Sequence, residues 1–87
     1  MAGQEKEAYV AFIAERDPEI RSLLEQGFEF VMNAFKADAV PPGIKAKTAK
    51  EHVRRLRQEG YEVGVSTAYD EQGHSRPTMS AIWRKKR

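Results

Sequence analysis

Apolar residues recur along this chain with two different periods, and the change falls at Gly60. Before it the spacing is helical. Ala8, Tyr9, Phe12 and Ile13 share one side of a first helix over residues 4–16, with Val10 off the stripe. Asp17-Pro18 ends that helix, because the residue before a proline is pushed out of helical geometry. The same pair opens the next one, with Asp17 as N-cap, Pro18 at the first position and Glu19 near the positive dipole end. Ile20, Leu23, Leu24, Gly27, Val31, Ala34 and Phe35 then form a broad stripe, flanked by Phe28 and Phe30, and predict a long second helix over 18–37. Gly27 in its middle costs about 1 kcal/mol relative to alanine and implies close approach of another backbone, or a kink.

The segment Asp38–Lys47 contains Pro41-Pro42-Gly43 and reads as a linker, with Ile44-Lys45-Ala46 able to form a short strand. Thr48 and Glu51 then make a capping box, and Gly60 supplies the positive φ that often ends a helix. A third helix over about 49–59 follows. Ala49, Val53 and Leu56 face inward, and Lys50, Arg54 and Arg57 share a neighbouring face. After Gly60 the period is two. Tyr61, Val63, Val65, Thr67 and Tyr69 alternate with Glu62, Gly64, Ser66 and Ala68, which predicts a strand with the first set as its apolar face. Asp70-Glu71-Gln72-Gly73 is turn chemistry, and residues 77–84 return as a second strand with a hairpin tip at 70–76. The expected architecture is α+β in the order α-α-α-β-β, one domain over 1–87.

Composition narrows the classes. The chain has 87 residues, 40% hydrophobic and 32% charged, as in a folded domain with a small core. Small cores gain from dimerisation, so a homodimer through the wide apolar face of the second helix is one expectation. Without cysteine there is no disulfide, thiolate metal site or cysteine nucleophile. No apolar run is long enough for a membrane span, and the opening MAGQEKEAYV lacks the apolar core of a secretion signal, so a cytoplasmic protein with no membrane partner is expected.

Charge is divided between the halves. Residues 1–43 carry four basic and eight acidic side chains, a net −4. Residues 44–87 carry eleven basic against five acidic, a net +6. A basic half predicts an anionic partner there, and equally suits two halves that attract one another. The stretch KTAKEHVRRLRQEGYEV has a capped start, basic residues, Val53 and Leu56 facing in, then Glu-Gly-aromatic leading into a strand. It resembles the recognition helix and wing of winged-helix DNA-binding domains. That resemblance implies a helix whose N-terminal part enters the major groove and a hairpin tip lying along the backbone. Lys47, Thr48, Lys50, Arg54 and Arg57 would face DNA, with Arg76 at the wing. The pattern asks for another helix ending three or four residues earlier, where this chain has the Pro-Pro-Gly linker.

The run Arg84, Lys85, Lys86 and Arg87 adds sequence-independent phosphate contacts or serves as a solubilising tail. Tyr61, Tyr69 and Trp83 are core, or a stacking platform if exposed on one face. His74, with Ser75, Arg76 and Asp70 near it, is the one candidate for acid–base chemistry on RNA, and its Gly-His setting resembles small toxin ribonucleases. His52 sits at the edge of an apolar stripe. Two histidines without cysteine make no metal signature, and no cofactor motif or catalytic residue is assigned. The expected function is nucleic-acid binding, duplex DNA before RNA, as a small regulator. The alternative is a protein-binding adaptor or inhibitor using the apolar face of helix 18–37 or the hairpin edge.

Overall fold

The computed structural model describes residues 2–87, and the side chains from Glu5 onward. In it the helix expected to run from Pro18 to Ala37 stops at Glu25. Gln26 is its C-cap and Gly27 takes φ +94°. The Gly27 N–H donates to the Leu24 carbonyl and the Phe28 N–H to the Leu23 carbonyl, both at 3.0 Å. This is the glycine-ended helix terminus in which two reverse hydrogen bonds satisfy the last carbonyls. Gly27 is therefore a stop signal, not a point of close approach in mid-helix. The chain then enters a strand that the sequence reading missed.

The elements in order are α1 (Ala2–Arg16), α2 (Pro18–Glu25), β1 (Glu29–Phe35), α3 (Ala49–Gln58), β2 (Tyr61–Tyr69) and β3 (Ser75–Lys86). The fold is α+β with three helices and a three-stranded antiparallel sheet, in the order α-α-β-α-β-β. The expected hairpin of β2 and β3 is present, and β1 adds to the other side of β3, giving the strand order β1-β3-β2. The local helix signals hold. Asp17 caps α2 through Oδ1, which accepts from the Glu19 and Ile20 N–H groups at 2.9 and 3.4 Å. The Thr48 hydroxyl accepts from the Glu51 N–H at 3.3 Å, and Gly60 follows α3 at φ +96°.

Helices cover both faces of the sheet. On one, Ile13, Ala14 and Ile20 of the first two helices pack with Phe28, Ala68, Ala81 and the fully buried Trp83. On the other, Ala49, Val53 and Leu56 of α3 pack with Met32, Ala34, Val63 and Ile82. This reverses much of the expected facing of β2. Ser66 and Ala68 are buried, whereas Val65 is 51% exposed and Thr67 is exposed. The reason is spacing. A Cβ on Gly64 would lie 2.9 Å from Leu23 Cδ2, so the helical pair sits too close for large residues at Gly64, Ser66 and Ala68.

Polar bonds tie the helical layer to the sheet. The Tyr69 hydroxyl donates to Asp17 Oδ2 at 2.7 Å, and the Tyr9 hydroxyl donates to the Tyr69 carbonyl at 2.6 Å. Asn33 Nδ2 donates to the Tyr9 hydroxyl at 3.1 Å. Residues 36–48 hold two turns and neither a helix nor the short strand expected at 44–46; the Lys36 N–H still donates to the Thr78 carbonyl at 3.0 Å, beyond it the backbone bonds are local, and Ile44 is 51% exposed. Pro77 lies between the pairs Thr67↔Ser80 and Tyr69↔Ser75, where the ladder is already broken and its missing N–H costs nothing. Among the described residues no helix is long and apolar enough to cross a membrane.

Candidate nucleic-acid interface

The basic stripe of α3 follows from helical geometry. At about 100° per residue, Lys50, Arg54 and Arg57 fall on one flank beside the inward Ala49, Val53 and Leu56. Glu51, Arg55 and Glu59 fall on the other. Arg55 is occupied there: its Nη1 is 3.1 Å from Glu59 Oε2, and its Nη2 is 3.3 Å from His52 Nδ1. Burial holds the His52 imidazole below its ordinary value, with Arg55 and Lys47 acting in the same direction.

The basic flank borders a groove of about 500 Å³ lined by Lys50, Val53, Arg54, Arg57, Gln58 and Arg87. No carboxylate lines it. Arg87 comes from beyond the end of β3, so the helix stripe and the chain terminus meet in one cationic surface. Lys47 and Thr48 lie at the N-terminal end of α3, with Lys47 exposed and the Thr48 hydroxyl already used as a cap.

The other expected cations separate. Strand alternation puts Arg84 and Lys86 on the α3 face, opposite Val63 and Tyr61, and Lys85 on the reverse face. Arg84 Nε is 2.7 Å from Glu29 Oε1, and its guanidinium lies 4.7 Å from the centre of the Tyr61 ring. The Arg84 bond holds the Glu29 carboxyl below the usual range. Lys85 Nζ lies 5.9 Å from the centre of the Phe28 ring, on the side of the first two helices. Arg76 is at the far end of the sheet. It lines a cleft of about 900 Å³ with Tyr9 and Phe12 of α1, Asn33, Tyr69 and the acidic turn residues Asp70 and Glu71. So Arg76 does not share a surface with the basic flank of α3, as the wing assignment would need.

Trp83 is core. Its indole N–H donates to the Ser66 hydroxyl at 2.9 Å, and its ring meets Phe30 edge-on at 5.2 Å. His74 builds the turn. Its backbone N–H and that of Gln72 donate to Asp70 Oδ1, both at 2.9 Å, while its exposed ring has Nδ1 3.5 Å from Asp70 Oδ2. These backbone donors, that of His74 first, hold the Asp70 carboxyl below the usual range. Among the described residues no three His, Cys, Asp or Glu side chains gather as a metal site would require.

No family model matches this chain, and no curated protein and no solved structure matches it.

Proposed function

We propose that this protein binds nucleic acid, duplex DNA in particular, through the basic flank of α3. The observation that carries the reading is the carboxylate-free groove in which Lys50, Arg54 and Arg57 are joined by Arg87. Four cations in one surface meet phosphates without an acid to oppose them, and release of counterions drives such binding. Packing leaves these side chains exposed, because Val53 and Leu56 on the adjoining face hold the helix to the sheet. The duplex preference rests on size. A helix about 10–12 Å across fits the B-form major groove, about 12 Å wide, and not the narrow major groove of A-form RNA.

A small regulator that docks on DNA by α3 is the role this surface suits. Lys47 and the start of the helix extend the contact along the backbone, and Lys86 adds charge from the same face of the sheet. A gel-shift titration at 50 mM salt tests the reading: random-sequence duplex is retarded, and a variant with Arg54→Ala and Arg57→Ala binds at least tenfold more weakly with an unchanged circular dichroism spectrum. Absence of any shift with duplexes of varied sequence at that salt contradicts it.

A further inference from the structure

We infer that β2 is the seam of a homodimer, pairing antiparallel with β2 of a second copy about a two-fold axis at Val65 and extending the sheet to six strands. An edge strand offers unpaired N–H and C=O groups, and proteins that must stay monomeric protect such edges with lysine, proline or a bulge. The outer strand β1 carries a register shift between Phe30 and Met32. β2 has its own register shift only near its end, between Thr67 and Tyr69; from Tyr61 to Thr67 it is regular, with no proline and a single charge, Glu62. At its midpoint stands Val65, 51% exposed, the one large apolar strand residue so exposed among the described residues.

Two features select a second copy as the occupant. The first is coverage. The ten residues of α3 span about 15 Å, roughly half the length of nine strand residues at about 3.3 Å each. α3 packs on Tyr61 and Val63 and leaves Val65 and Thr67 bare. Antiparallel pairing about Val65 sets Val63 opposite the partner's Thr67, so the covered half of each strand lies beside the bare half of the other. The second is charge. The same register carries the Asp70-Glu71 turn of one copy past the start of the partner's β2. Lys86 pairs with Tyr61 at that end and Arg87 and Arg57 stand near it, while of its two carboxylates Glu59 is bonded to Arg55 and only Glu62 opposes them, so the end is net basic. The two-fold repeats this match of acidic tip and basic end at both edges. The axis is perpendicular to the sheet, so both α3 helices lie on one side of the dimer.

The inference does not depend on nucleic-acid binding and is tested without nucleic acid. The chain has no cysteine, so Val65→Cys introduces a single reporter. A self-paired strand position has its Cα atoms about 4.5–5.5 Å apart, within the 4.4–6.8 Å range of disulfides. Under mild oxidation Val65→Cys forms a covalent dimer rapidly, while Ile44→Cys, equally exposed in the 36–48 segment, does not. Light scattering of the unmodified protein across the micromolar range gives twice 9.9 kDa, and Val65→Lys raises the dimer dissociation constant at least tenfold without changing the circular dichroism spectrum. A mass of 9.9 kDa throughout, a dimer indifferent to Val65→Lys, or equal cross-linking at the two cysteine positions overturns the inference.

Discussion

Ser66 and Trp83 show how a single small residue supports the core. The Ser66 hydroxyl accepts the buried indole N–H at 2.9 Å and itself donates to the Thr67 carbonyl at 3.2 Å. Ser66→Ala leaves the indole N–H without a partner inside the core, which costs about 1–3 kcal/mol. Urea unfolding followed by the fluorescence of Trp83, the sole tryptophan, reads this directly. Gly64→Val is expected to cost as much or more, because its Cβ alone would come within 2.9 Å of Leu23. His52 contributes a pH dependence near neutrality. Its folded pKa lies below its ordinary 6.5, because burial and the nearby Arg55 and Lys47 disfavour the charged ring. The unfolded chain therefore binds the proton more readily. Stability from this residue is complete above pH 6.5 and is lost as the pH falls below that value towards the folded pKa. Urea midpoints on either side of pH 6.5 show the decline, and His52→Gln reduces it.

The elements divide into those signalled locally and those made by distant pairing. Asp17-Pro18, the Thr48 cap and Gly60 act within a turn of the backbone, and α1, α3 and the hairpin were legible from them. The first turns of α2 were legible for the same reason. β1 was not. Its partner β3 lies some fifty residues away, and both faces of the sheet are covered, so its residues show no alternation of polar and apolar. The register shift between Phe30 and Met32 also moves the apolar positions to a spacing that mimics a helix. The available signal is Gly27 followed by an aromatic-rich run, which marks a helix end although the apolar spacing suggests a helix interior. The adaptor reading placed on the apolar face of a helix over 18–37 loses its surface with this change. At the binding surface, the α3 stripe was visible as a period, but the arrival of Arg87 depended on where β3 ends. Arg87→Ala is accordingly expected to weaken duplex binding more than Lys85→Ala, whose side chain lies on the opposite face over Phe28. Fluorescence anisotropy with a labelled duplex distinguishes them.

For the whole molecule, the charge division between the halves is partly internal and partly outward. Glu29 of the acidic half meets Arg84 of the basic half at 2.7 Å, so some of the asymmetry is used within the fold. The α3 flank and Arg87 are left with exposed positive charge and no opposing acid in their groove. That excess is the charge proposed to meet nucleic acid. The most direct test is the salt dependence of duplex binding by the unmodified protein and by a variant with Arg54→Ala, Arg57→Ala and Arg87→Ala. Each lost phosphate contact reduces the slope of log affinity against log salt by about 0.9 on B-DNA. A steep slope is expected for the unmodified protein, and one shallower by roughly 2–3 for the variant. Parallel slopes, or no binding at low salt, would contradict it.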